Sequence, residues 1–298
     1  VRLTVDEWGG RVLLLAHVKE LIEQPLEKLD RDDVGVYSAG LGRRDKHKPI
    51  MLAGIQSVYR RAAELGAFNL ILVDEAHMLP PSGDGMYRQF MEEALLVNPK
   101  ARLVGFTATP YRLGTGELCD DGGFLDEIVY RASIAELIVQ GYLSPLRSKQ
   151  ARRELDTSGL RVRAGEFVAS DIEALVDSDA GVDRAVSEIL QQSADRTSVL
   201  VFAASVRHAM HVASLLPDAE IITGDTPAAQ RAETIRRFRG REIKHLVNVN
   251  VLSVGFDAPN VDCVAMLRPT LSPGPIWWSL RCRSASWVRL PPTSRRIW

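Results

Sequence analysis

Leu70-Ile71-Leu72-Val73-Asp74-Glu75-Ala76-His77 is the stretch from which the rest of the chain is read. Four consecutive apolar residues, two of them β-branched, suit a short strand buried on both faces, as in a parallel sheet. Two carboxylates follow at once. They therefore emerge at the C-terminal edge of that strand, where open α/β sheets bind ligands.

The same rhythm runs outward in both directions. Upstream, Arg11 to His17 reads as a buried strand followed by a helix over Val18 to Gln24, and Ile50 to Ala53 as a strand leading into Gly54-Ile55-Gln56-Ser57-Val58-Tyr59-Arg60. Downstream, Ala101 to Phe106 is a further strand, ending in Thr107-Ala108-Thr109-Pro110. It comes one helix and one strand after the carboxylates, which puts the two threonines at the same sheet edge. The alternation resumes after Gly181 with a helix to Gln191 and strands at Ser198–Ala203, Ala219–Thr223, His245–Val249 and Cys263–Pro269. Pro227 suits the first turn of a helix running to Phe238. Strands alternating with helices predict an α/β fold in two parallel-sheet lobes. The expected boundaries are a first lobe over 1–143, a connector over 144–180 that carries Ser144-Pro145 and Thr157-Ser158-Gly159, a second lobe over 181–274, and a disordered tail over 275–298 without periodicity.

Composition narrows the class. At 298 residues, 46% apolar and 25% charged, the chain suits a soluble protein with a sizeable core. A formal net charge of −1 gives no global pull toward nucleic acid, so any such binding falls to local patches. Two are candidates: the loop Gly40 to Lys48, and the helix end carrying Arg231, Arg236, Arg237, Arg239, Arg241 and Lys244. Cys119, Cys263 and Cys282 are isolated thiols without a CxxC pair, which fits a reducing compartment and no zinc site. His208 and His211 stand three apart on a helix, but no further ligand pattern accompanies them. No apolar run approaches membrane-spanning length and the N-terminus lacks a signal-peptide layout, so the expected setting is cytoplasmic.

An apolar strand ending in Asp-Glu is the Walker-B arrangement of nucleotide hydrolases, and the run Asp74-Glu75-Ala76-His77 resembles the DEAH box of superfamily 2 helicases. The string Gly105 to Gly114 (GFTATPYRLG) resembles motif III of that group, and Asn250 to Pro259 (NVLSVGFDAP) resembles motif V. Within the superfamily the chain looks most like bacterial RadD-type DNA-repair helicases related to restriction-enzyme translocase subunits. The resemblance covers about Val12 to Gly274 and implies two RecA-like lobes with ATP in the cleft between them and a nucleic-acid strand across both.

Carried over residue by residue, the resemblance implies that Asp74 holds Mg²⁺ and Glu75 activates water. It has His77, Thr107 and Thr109 couple hydrolysis to movement. Gly255 and Asp257 approach the nucleotide from the second lobe. Nucleic-acid contacts fall to His17, Gln56, Ser57 and Arg60 in the first lobe and to Thr223, Gly224, Asp225 and Ser253 in the second. The implied cofactors are ATP and Mg²⁺. The implied partner is single-stranded or branched DNA, with single-strand-binding or repair proteins as further partners, and the protein acts as a monomer. A non-catalytic DNA-binding fragment, a restriction-type translocase and an RNA helicase are the alternatives.

Two departures stand beside these matches. No Gly-Lys-Ser/Thr occurs anywhere, so the phosphate-cradling P-loop is missing and the first lobe is expected to be incomplete. After Gly274 the text reads Pro275-Ile276-Trp277-Trp278-Ser279-Leu280-Arg281-Cys282-Arg283, without the Gly-Arg of motif VI. The resemblance stops there abruptly, as a change of reading frame would make it. A truncated, inactive form is the resulting expectation.

Overall fold

The structure, a computed structural model, describes residues 6–80, 83–112, 116–119, 123–145, 147–150, 156–163, 166–176, 179–252, 259–271 and 286–289. The chain divides into two compact units, Val1–Arg131 and Ala132–Trp298.

In the first unit, strands β1 (Val12–Ala16), β2 (Val34–Ser38), β3 (Arg43–Arg44), β4 (Ile50–Gly54), β5 (Leu70–Asp74) and β6 (Arg102–Phe106) form one sheet in the order β3-β2-β4-β1-β5-β6. All pairs are parallel except β2 with β3. The apolar runs explain the order: β1, β2 and β4 are buried along their whole length. Parallel strands need both faces covered, so these sit at the centre. β6 has a single strand neighbour among the described residues and is only half-buried, with Phe106 at 38% exposure. One sheet face is closed by the helix Met86–Val97, whose buried Tyr87, Phe90, Met91 and Ala94 recur at helical spacing and join the core of Leu13, Leu15, Ile71 and Val73. A short antiparallel pair, β7 (Tyr111–Arg112) and β8 (Gly116–Glu117), follows β6.

Arg11 secures the opposite, N-terminal edge of this sheet. Its guanidinium donates to the carbonyls of Leu65 (2.8 Å), Ala67 (3.1 Å) and Lys46 (2.9 Å) and lies 4.5 Å over the Phe68 ring. The cationic loop Gly40–Lys48 carries two ion pairs, Arg43 with Asp45 of the same loop at 2.7 Å and Lys46 with Glu64 of the helix Ala62–Leu65 at 2.5 Å.

In the second unit, strands β9 (Arg147–Gln150), β12 (Val199–Phe202), β13 (Ala219–Ile222), β14 (His245–Asn248), β15 (Cys263–Met266) and β16 (Ser286–Arg289) form an all-parallel sheet in the order β13-β14-β12-β15-β16-β9. A small hairpin of β10 (Val162–Arg163) and β11 (Glu166–Phe167) lies between β9 and β12 in the chain. Helices Val206–Leu215 and Ala228–Arg239 each lead from one strand to the next, and cores lie on both sheet faces. The organisation differs from the sequence expectation at three points. The units part at Arg131, not at 143; residues 147–150 of the expected connector are a sheet strand; and 286–289 of the expected disordered tail pair with both β15 and β9. Backbone hydrogen bonds, not side-chain periodicity, recruit these two strands. No described helix is long and apolar enough to cross a membrane.

His245 is fully buried in β14. Its Nδ1 lies 2.6 Å from the Pro217 carbonyl and so carries the proton, while Nε2 is buried without a partner. Burial holds this imidazole below its ordinary value of 6.5. The folded state therefore resists protonation while the unfolded chain takes up the proton as pH falls through its ordinary range. The stability tied to neutral His245 is present above that range and is lost below it. In urea titrations the unfolding midpoint should fall between about pH 7 and pH 5. His245→Asn should remove much of that slope; an unchanged slope in the variant would exclude His245 as its source.

Candidate hydrolysis site

Register brings the predicted residues to one edge. Ala16 of β1 pairs with Gly54 of β4, Leu15 with Val73 of β5, and Asp74 of β5 with Phe106 of β6. The residues that follow, His17, Gln56, Glu75 and Thr107, therefore all leave the sheet at its C-terminal edge. Glu75 takes a left-handed backbone conformation (φ 51°, ψ 52°), turning the chain sharply into a short helical turn over Ala76–His77–Met78. A non-glycine residue there is uncommon and marks a constrained turn.

That turn places three side chains in contact. His77 Nδ1 lies 3.0 Å from Thr107 Oγ1 and 3.3 Å from Glu75 Oε2. The Thr107 hydroxyl donates to the Thr109 carbonyl at 3.1 Å and accepts from the Thr109 N–H at 3.1 Å. With its single proton committed, Thr107 Oγ1 accepts from His77, which fixes the proton on Nδ1. Glu75, His77, Thr107 and Thr109 are thus one polar chain linking the ends of β5 and β6. Asp74 Oδ1 accepts from the Glu75 N–H at 3.0 Å, and Oδ2 has no hydrogen-bond partner among the described residues.

Further groups surround the acid pair. His17 is half-buried with an unpartnered Nδ1; burial lowers its pKa, opposed by Glu75 and Asp74. Tyr87, from the helix after the turn, is 6% exposed with an unpartnered hydroxyl. Its pKa is driven well above the ordinary phenol value by burial and then by Asp74 and Glu75. Neither Tyr87 nor Gly105 stands out in the sequence as a site residue. The signal for Tyr87 is a polar atom at a core position of the helix that follows the acids.

The predicted nucleic-acid residues divide. Gln56 Nε2 donates to the His17 carbonyl at 2.6 Å and Ser57 Oγ accepts from the Ala39 N–H at 2.9 Å, so both tie edge loops together. Arg60 is exposed, its guanidinium 5.0 Å over the Tyr59 ring. In the second unit, Thr223 and Thr226 turn their hydroxyls inward: Thr226 Oγ1 accepts from Thr223 N–H (2.9 Å) and Thr223 Oγ1 from Asp225 N–H (3.3 Å). Gly224 and Asp225 are exposed at the tip of that loop. Ser253, Gly255 and Asp257 lie outside the described residues. Part of the arginine-rich helix end is neutralised, since Arg236 is held by Glu233 and Glu242 and Arg237 by Glu220. His208 accepts from the Ala204 N–H at 3.2 Å, and no group of three or more potential metal ligands occurs among the described residues.

Gly105 is where β6 passes closest to the acidic turn. A methyl group there would stand 2.6 Å from Ala76 Cβ and 3.0 Å from Leu125 Cδ1. Gly105→Ala should cost about 1–3 kcal/mol by overpacking and displace the turn that carries Glu75. Urea denaturation measures the first effect; an unchanged midpoint would show that the turn yields freely.

Comparison with known proteins supplies the lineage. Residues 2–112 match the family model for the type III restriction enzyme res subunit, and residues 181–282 match the helicase conserved C-terminal domain. The chain is 27% identical over 278 residues to "Putative ATP-dependent helicase IRC3" of Saccharomyces cerevisiae, covering 87% of this chain and 39% of that one. It is 27% identical over 298 residues to the DNA 3'-5' translocase XPB2 of Sulfurisphaera tokodaii, covering 83% of this chain and 63% of that one. It therefore spans less than two-thirds of either relative. The solved fragment of "a putative HsdR subunit of a type I restriction enzyme" from Vibrio vulnificus shares the fold, with TM-score 0.65, 19% identity and coverage of 94% of this chain and 53% of that one. With both family models matched in order and the acid–histidine–threonine chain at one sheet edge, the chain carries a res-subunit domain followed by a helicase conserved C-terminal domain, which supports a superfamily 2 helicase lineage.

Proposed function

We propose that this chain forms part of an ATP-driven DNA translocase, with Asp74 holding Mg²⁺ and Glu75 activating the attacking water. The observation that carries this reading is the polar chain at the sheet edge: His77 hydrogen-bonds Thr107, Thr107 hydrogen-bonds Thr109, and Glu75 Oε2 stands 3.3 Å from the same His77 nitrogen. It ties the proposed water-activating carboxylate to the loop after the neighbouring strand, so a shift at one end is felt at the other. The free Oδ2 of Asp74 suits a hard cation that takes one carboxylate and fills its remaining positions with phosphate and water. ATP and Mg²⁺, when bound, supply the phosphoanhydride and the charge that offsets the leaving group. The residues present orient Glu75 and keep His77 in one tautomer. DNA as the track is supported by the translocase named among the relatives.

For the 298-residue stretch taken by itself, a second reading is DNA binding without turnover, since Gly-Lys-Ser/Thr does not occur within it. That loop would supply a backbone nest, a lysine and a hydroxyl for the phosphates. DNA-stimulated phosphate release separates the readings. The 298-residue polypeptide should show little or none. Release that Glu75→Gln abolishes would reject the second reading in favour of the motor. Single-stranded DNA should bind weakly, with affinity falling steeply as salt rises. If Arg60 touches a phosphate, Arg60→Ala should reduce the slope of log K against log salt by about 0.7. An unchanged slope in fluorescence anisotropy would remove Arg60 from the track.

A further inference from the structure

The acid pair has a neighbour that the proposed chemistry leaves unused. Tyr87 lies in the same core cluster as Val73, Ala76 and Leu79, the apolar residues bracketing Asp74, Glu75 and His77. It is 6% exposed, and its hydroxyl is among the few buried side-chain atoms without a hydrogen-bond partner. Phenylalanine would fill the same space without stranding a donor, so the hydroxyl costs folding free energy where it stands. Such a group in a folded protein calls for a reason. The charges facing it are Asp74 and Glu75, both carboxylates, and both act on the phenol. A second buried and unpartnered atom, Nδ1 of His17, follows the end of β1, and its imidazole also feels the charges of Glu75 and Asp74. Two buried polar atoms without partners, both within the electrostatic reach of one acid pair, suit a site built for a state in which they acquire partners.

We propose that Tyr87 is a positioning residue for the acid pair: when a divalent cation binds at Asp74, the phenol donates a hydrogen bond to the pair, directly or through one cation-bound water. This rests on the reading of Asp74 as the cation's carboxylate. The physical logic is that of outer-shell partners, which orient a ligating carboxylate and so set how firmly the cation is held. A neutral phenol does this without adding a charge that would compete with the cation.

The test is titration of the 298-residue chain with Mn²⁺ as the probe for Mg²⁺, following loss of the free-ion signal by electron paramagnetic resonance, in wild type, Asp74→Asn and Tyr87→Phe. Thermal unfolding without metal is recorded in parallel. Tyr87→Phe should unfold at or above the wild-type temperature, because a stranded donor has been removed, yet bind Mn²⁺ about 10-fold more weakly. Equal Mn²⁺ affinity in wild type and Tyr87→Phe would overturn the proposal. So would a drop of several degrees in the metal-free variant, since the hydroxyl would then have a structural partner. A wild type whose Mn²⁺ binding is indifferent to Asp74→Asn would instead overturn the cation reading of Asp74, and the role of Tyr87 with it.

Discussion

Parallel pairing of β5 with β1 on one side and β6 on the other is the constraint from which the site follows. In a parallel ladder every strand ends at the same edge, so residues far apart in sequence arrive side by side without any direct attraction between them. Glu75 and Thr107 are 32 positions apart, yet each is the first residue beyond a paired strand end. The apolar faces of the strands supply the energy for this arrangement, since burying them on both sides is what makes the parallel sheet stable. The polar chain at the rim is a consequence of register.

The tight approach of β6 to the acidic turn carries a second constraint. Glu75 enters the turn through a left-handed conformation, and Gly105 lets Ala76 pack directly on the neighbouring strand. Together they fix where the Glu75 carboxylate and the His77 ring stand. The histidine is then held as a donor by a threonine whose own proton is already committed. The geometry thus puts a proton on Nδ1 and makes the ring a donor toward the loop after β6. Tyr87 and His17 differ: each keeps a buried polar atom unpaired. Stability has been conceded at the site, as is common where a protein must accept a ligand.

Electrostatics at the surface reads differently from the sequence and from the fold. The arginines at the end of the helix Ala228–Arg239 look like a cationic track when written as letters. In the folded unit Glu220, Glu233 and Glu242 meet Arg236 and Arg237. Two of those acids are near in sequence, but Glu220 comes from the adjacent strand, and only packing brings it there. In the loop Gly40–Lys48, Asp45 pairs with Arg43 and Glu64 with Lys46. Local charge counts overstate the field because opposite charges from other elements are invisible in a linear reading.

The sequence by itself determined the α/β class, most central strands, and the carboxylates and threonines at their ends, because a buried parallel strand must be a continuous apolar run and its exit residues are then fixed by counting. It did not reveal β2, where Gly35 and Ser38 dilute the apolar signal, nor the all-polar β9 and the short β16, which join the sheet through backbone bonds. Only the tertiary structure decided which nitrogen of His77 carries the proton, that Gln56 and Ser57 are engaged in tying loops, and that the Tyr87 hydroxyl is stranded beside the acids. These depend on partners 18 to 39 residues away or on the absence of one, and a hydrogen bond is set by distances of a few tenths of an ångström, which spacing along a chain does not specify.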